Sequence, residues 1–265
     1  MAGMTIPKAV VFDMDGVIYR GAHGVPGVAR EIYRLQKKTR VLFLTNNATK
    51  SRAECIRSLA GHGISAKGSE IMTAAFGCAK YMQEKYGAGK PAYVVGEQGL
   101  KDELEAAGAK IVESEGAKLV VVGLDRHFNY QKLDMAVRNI EAGAKFMLAN
   151  SDPSYPTEAG KSPGSGAIAA AIAYASGKEP DVVLGKPSTY LMGILLDAHR
   201  IKPESAAFVG DRLDIDIRMA NKMGMKSVLV LSGIAKKEDL RHVSASEKPD
   251  AVIGTAADVG RALGI

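Results

Sequence analysis

Tryptophan is absent from the 265 residues, and cysteine occurs only twice. Cys55 and Cys78 belong to no Cys-x-x-Cys pair, which argues against a disulfide scaffold or a structural zinc site and fits a reducing compartment. None of the five histidines forms an i, i+4 pair of metal-ligand type. Long apolar runs are also missing. The least charged stretch, Ser162 to Gly177, is too short to span a bilayer and carries Pro163 and several glycines. The N-terminal residues lack the apolar core of a signal peptide, so the expectation is a cytoplasmic protein with no membrane partner. Repeats and low-complexity segments are absent.

The chain is long enough for two modest domains or one large one. Thirty-five lysines and arginines against 29 acids give a net charge of +6, but the basic residues are scattered. Lys37-Lys38 and Lys236-Lys237 read as solvated helix faces, so no nucleic-acid partner is expected. A basic balance suits an anionic small-molecule substrate, through electrostatic steering.

The chain is organised around Ala9-Val10-Val11-Phe12-Asp13-Met14-Asp15-Gly16. The apolar run reads as a buried strand leading into two aspartates spaced i, i+2. In extended chain both carboxylates can face one crevice at the strand's C-terminal end, where open α/β sheets bind ligands. Carboxylates so close repel unless they share a proton or hold a cation. A cation favours Mg²⁺-assisted chemistry with one aspartate as nucleophile; a simple polar turn is the plainer alternative. An EF-hand loop is excluded, because Ile18 and Gly24 stand where its glycine and glutamate belong.

Further strands are expected at Val41–Leu44, Ile71–Thr73, Tyr93–Val95, Leu119–Val122, Phe146–Leu148, Val182–Leu184, Ala206–Val209, Val228–Leu231 and Ala251–Ile253. Helical patterns alternate with them, and Ser51-Arg52-Ala53-Glu54 is a capping box. A flap is expected through Gly21, Gly24 and Pro26. Alternation of this kind predicts an α/β protein with parallel sheets and right-handed crossovers. Gly160-Lys161-Ser162 imitates a P-loop ending, but Tyr155 replaces the required glycine. Gly164-x-Gly166-x-x-Ala169 imitates a dinucleotide fingerprint, but Pro163 intervenes and no strand is expected before it.

Asp13 and Asp15, Thr45, Lys186, and Asp211 with Asp216 are expected at strand ends, which share one edge of a parallel sheet. Together they suit a phosphoryl group: carboxylates for Mg²⁺, and a hydroxyl and an ammonium for phosphoryl oxygens.

The pattern Asp13-Met14-Asp15-Gly16-Val17, Thr45-Asn46-Asn47, Gly185-Lys186-Pro187 and Gly210-Asp211 through Asp216 resembles the four motifs of the haloacid dehalogenase superfamily. Gly123-Leu124-Asp125-Arg126, Asn150-x-Asp152 and Pro163-Gly164-x-Gly166 resemble the para-nitrophenyl phosphatase and sugar- and nucleotide-phosphatase branch, which carries an α/β (C2-type) cap. The resemblance implies a Rossmann-like parallel-sheet core at 1–81 and 179–265, with an inserted α/β cap domain at 82–178. It implies that Asp13 is the nucleophile, forming an aspartyl-phosphate, and that Asp15 is the acid/base. Thr45, Asn46 and Lys186 would bind the phosphoryl group. Asp13, Asp211 and the carbonyl of Asp15 would hold Mg²⁺, with Asp216 ordering its waters. Asn150 and Asp152 would read the substrate from the cap, with Arg126 a lesser candidate. Ile215 departs from the threonine frequent in the fourth motif. The expected activity is hydrolysis of a small phosphorylated metabolite such as glycerol phosphate, phosphoglycolate, a sugar phosphate, a nucleotide or pyridoxal phosphate. A homodimer through the cap is expected. The rival readings are a phosphoaspartate regulatory switch and a phosphoprotein phosphatase.

Overall fold

The computed structural model describes residues 6–157 and 160–265. In chain order the elements begin with β1 (Ala9–Phe12), the short pair β2 (Tyr19–Arg20) and β3 (His23–Gly24), α1 (Val28–Gln36), β4 (Arg40–Thr45), α2 (Arg52–Gly61), β5 (Ile71–Thr73) and α3 (Ala74–Tyr86). They continue with β6 (Pro91–Val95), α4 (Gln98–Ala106), β7 (Lys110–Ile111), β8 (Leu119–Val122), α5 (Tyr130–Glu141), β9 (Lys145–Leu148), β10 (Ser154–Thr157), β11 (Gly160–Pro163) and α6 (Ser165–Ser176). The last are β12 (Val182–Val183), α7 (Tyr190–Ala198), β13 (Ala206–Gly210), α8 (Arg218–Lys222), β14 (Lys226–Val230), β15 (Ala251–Ile253) and α9 (Val259–Leu263).

The described chain forms two compact units, the first comprising residues to Thr45, Ile56–Met72 and Lys186–Ile265. Its sheet has the order β15-β14-β13-β1-β4-β5. β1 lies parallel between β13 and β4, with Phe12 opposite both Val209 and Phe43. All four residues of β1 are fully buried, as expected for a central strand covered on both faces. The segment through Gly21 and Gly24 contains the antiparallel pair β2–β3, and Tyr19 in it stacks on His62 with ring centroids 5.1 Å apart.

The second unit, Asn46–Cys55 with Thr73–Gly185, has its own parallel sheet in the order β12-β9-β8-β6-β7. Val120, Val122, Phe146 and Leu148 in its strands pack with Ile168 and Ile172 of α6. The insertion expected at 82–178 lies inside this unit. Segment 46–55 joins it because the Arg52 N–H donates to the buried Glu103 carboxylate at 2.6 Å. A Cβ on Gly99 would lie 2.5 Å from the backbone of Thr49, Lys50 and Ser51, so only glycine lets α4 approach so closely.

Two sequence expectations need correction. Val182–Val183 is not a strand of the first sheet: it pairs with β9 in the second. A strand does precede Gly164, namely β11, but it is half of an antiparallel hairpin with β10 rather than the first strand of a βαβ unit. Gly164 and Gly166 serve a different close approach, since a Cβ on either would overlap or crowd the carbonyls of Asp152 and Ser151. Among the described residues, no helix is long and apolar enough to cross a membrane.

Candidate active site

The first unit's parallel register sets the ends of β1, β4 and β13 along one edge. Asp13 follows β1, Thr45 ends β4, and Asp211 follows β13; all three are buried. Lys186, also buried, reaches this edge from the chain rather than from a strand of the sheet. Its Nζ lies 2.8 Å from the Asp13 carboxylate and 2.7 Å from that of Asp216. Carboxylate oxygens of Asp13, Asp211 and Asp216 all lie within 4.8 Å of one another.

Each acid is held differently. One Asp216 oxygen receives Lys186, and the other accepts the N–H groups of Asp211 and Arg212, both at 3.1 Å. Asp211 accepts the Ile234 N–H at 2.8 Å. A Cβ on Gly16 or Gly233 would overlap the Asp211 carboxylate, and Gly16 also has φ +80°. Ile215, the departure from the family pattern, is a buried apolar residue beside these acids. Asp15 is exposed, and its backbone is bridged to Tyr19.

Three carboxylates face one ammonium, so negative charge is left over if all ionise. Burial pushes the Asp13 carboxyl well above its ordinary range; Lys186 pulls it down, while Asp216 and Asp211 push it further up. Burial and then Asp216 raise Asp211 to about 7. Burial also opposes the charge on Lys186, yet Asp13 and Asp216 outweigh it and hold its pKa above the usual lysine value. Buried acids with raised pKa values, converging with a lysine at a sheet edge, have the electrostatics of a functional centre. The donor set suits a hard divalent cation such as Mg²⁺: it is all oxygen, anionic and close-set. Asp216 is already engaged at both oxygens, which leaves Asp13 and Asp211 as the better ligands.

Asn46, Asn150 and Asp152 meet in the second unit. Asn46 Nδ2 donates to Asp152 at 3.1 Å, and Asn150 Nδ2 donates to the Asn46 carbonyl at 2.8 Å. Arg126, the lesser candidate, forms a forked pair with Glu97, both N···O distances being 2.7 Å. Gly233 and Ile234 escaped the sequence reading. Their one local signal is a glycine shortly after the end of β14.

Residues 10–110 match the family described as haloacid dehalogenase-like hydrolase, and residues 183–259 match a second family of that kind. An acid sugar phosphatase of Staphylococcus epidermidis is 34% identical over 235 residues, 88% of this chain and 90% of its own length. The p-nitrophenyl phosphatase of Archaeoglobus fulgidus has a TM-score of 0.91 at 31% identity, covering 97% of this chain and 100% of that one. A glycerol phosphate phosphatase from Mycobacterium tuberculosis, solved in complex with magnesium, has a TM-score of 0.87 at 32% identity, covering 97% of this chain and 76% of that one. The chain belongs to the haloacid dehalogenase-like hydrolases, in the p-nitrophenyl phosphatase branch. It is a phosphoric monoester hydrolase.

Proposed function

We propose that the protein hydrolyses small phosphomonoesters of sugars or polyols, with Mg²⁺, through an aspartyl-phosphate on Asp13. The observation that carries this reading is the buried cluster of Asp13, Asp211 and Asp216, of which Asp13 and Asp216 pair with Lys186. Asp13 Oδ attacks phosphorus while the ester oxygen departs, taking a proton from Asp15. Asp15 then accepts a proton from the water that attacks the phosphoryl group, freeing Asp13 and releasing phosphate. Exposure of Asp15 suits this role, because it must meet both leaving group and water. Lys186 neutralises charge on the phosphoryl oxygens, and Thr45 with the neighbouring Asn46 orients them through hydrogen bonds. Mg²⁺ held by Asp13, Asp211 and the Asp15 carbonyl would screen repulsion between nucleophile and phosphate. Asp216 fixes Lys186 and the loop carrying Asp211.

The substrate class is supported by the relatives' names, which include acid sugar phosphatase and glycerol phosphate phosphatase. The chain's positive charge suits an anionic metabolite. On this reading the second unit is the cap, the protein is a homodimer through it, and the site of action is the cytoplasm. The test is steady-state turnover of p-nitrophenyl phosphate and glycerol phosphate in Mg²⁺, in EDTA, and after Mg²⁺ is restored. Many turnovers in Mg²⁺ and none in EDTA are expected. Stoichiometric phosphorylation without turnover would identify a switch, and full activity in EDTA would remove the metal.

A further inference from the structure

We infer that Asn150 and Asp152 are positioning residues: they hold Asn46 directly and shape the loop whose Ala149 carbonyl binds Gly185, and through those peptides they place the adjoining Thr45 and Lys186. The inference rests on the reading that Thr45 and Lys186 bind the phosphoryl group. The chain passes between its two units at Thr45–Asn46 and again at Gly185–Lys186. On the second unit's side, both passages are tied to the same short loop after β9. The Asn46 carbonyl accepts Asn150 Nδ2 at 2.8 Å, and its amide donates to Asp152 at 3.1 Å. The Asp152 N–H donates to Asn150 Oδ1 at 3.1 Å, so Asn150 is engaged at both ends of its amide. Gly185 donates its N–H to the Ala149 carbonyl at 2.7 Å. A Cβ on Gly185 would lie 2.7 Å from Asn150 Cβ and 2.8 Å from Asn46 Oδ1.

This loop is itself held from behind. The N–H groups of Gly164 and Gly166 donate to the carbonyls of Pro153 and Asp152, both at 2.9 Å, at the start of α6. Asn150 is only 4% exposed, so its amide cannot read a substrate hydroxyl without breaking two bonds. One oxygen of the Asp152 carboxylate, Oδ2, accepts the Asn46 amide. What the loop holds is Asn46 and Gly185, the residues bonded through the chain to Thr45 and Lys186. Catalytic groups tolerate little misplacement, and about 1 Å costs roughly 10²-fold. A fault in the loop should therefore harm every phosphate ester equally.

The experiment measures kcat, KM and the inhibition constant of inorganic phosphate for wild type, Asp152→Ala, Asp152→Asn and Asn150→Asp, using p-nitrophenyl phosphate and glycerol phosphate. Asp152→Ala should lower kcat by about 10²-fold on both esters and weaken phosphate inhibition, with Tm little changed. Asp152→Asn keeps an oxygen that can accept the Asn46 amide and should recover most of that loss. Asn150→Asp sets a carboxylate against the Asn46 carbonyl and should resemble Asp152→Ala. A loss confined to glycerol phosphate would overturn the inference and make Asp152 a substrate reader. A loss that follows a fall in Tm and is not recovered by Asn would overturn it too, leaving a folding role. Wild-type protein inert towards both esters would sink the functional reading itself, whatever the variants do.

Discussion

Lys186 and Asp216 form a 2.7 Å ion pair in which both side chains are almost completely buried. Asp216 also caps two backbone N–H groups, so one carboxylate joins the ammonium to the loop bearing Asp211. Removing one partner of such a pair strands the other charge, at about 3–5 kcal/mol. Lys186→Met strands the carboxylates and should destabilise the protein on that scale, whereas Asp216→Asn leaves Lys186 paired with Asp13 at 2.8 Å and should cost less. The double variant should lose clearly less than the two losses added together. Denaturant unfolding measures the cycle, and strict additivity would mean the pair is not coupled.

The proposed division of labour between Asp13 and Asp15 makes a second prediction. Asp13→Asn should leave no detectable turnover, because nucleophile and metal ligand go together. Asp15→Asn keeps the nucleophile and should lose about 10²–10⁴-fold on an alkyl phosphate. The loss of its first step should be smaller on p-nitrophenyl phosphate, whose leaving group scarcely needs a proton. Turnover surviving in Asp13→Asn would mean that another residue attacks.

Much of this site was legible in the sequence because it depends on local pattern. Ala9–Phe12 could only be a buried strand, and acids directly after it had to stand at the sheet's edge. Asp211 followed from the same logic at β13. Lys186 was found for a partly mistaken reason: the strand before it belongs to the other sheet, and strand pairing is a long-range choice that short apolar runs do not encode. The attachment of segment 46–55 to the second unit depends on Glu103 capturing an amide 51 positions away. No periodicity could announce that. Gly233 and Ile234 matter only because β14 brings them beside Asp211, a consequence of tertiary register.

The raised acids predict how pH and metal interact. Asp211 titrates near 7 when folded and metal-free, far above its ordinary value, and Asp13 is raised as well. Between about 4 and 7 Asp211 therefore holds more proton in the folded protein than in the unfolded chain, so its contribution to metal-free stability falls as pH rises through that window. Mg²⁺ must displace those protons, so its affinity should increase with pH across the same range. Calorimetry in buffers of different ionisation enthalpy should detect proton release on binding at pH 6, and little at pH 8.5. The rise in Tm caused by Mg²⁺ should be larger at pH 8 than at pH 5.5. Ca²⁺ should bind yet support turnover poorly, because its larger shell misplaces the nucleophile. A Tm increment independent of pH would show that these acids do not hold the metal.

Gly233 offers a test of the metal site that substitutes none of the proposed ligands. Its backbone is outside the left-handed region, so alanine meets no conformational penalty there, but the added Cβ would overlap the Asp211 carboxylate. The carboxylate must move, and the Ile234 N–H that holds it sits on the next residue. Disturbing groups that orient a metal ligand typically costs 10–100-fold in affinity. Gly233→Ala should therefore raise the Mg²⁺ concentration for half-activation by about that factor, and excess Mg²⁺ should restore part of the rate. Gly21→Ala is the control. Gly21 has φ +54° with nothing within 4 Å of its added Cβ, so that variant bears backbone strain alone. It should lose roughly 1 kcal/mol of stability without changing the Mg²⁺ dependence. Equal Mg²⁺ requirements for wild type and Gly233→Ala would show that Asp211 is free to shift without consequence, and so is not a ligand.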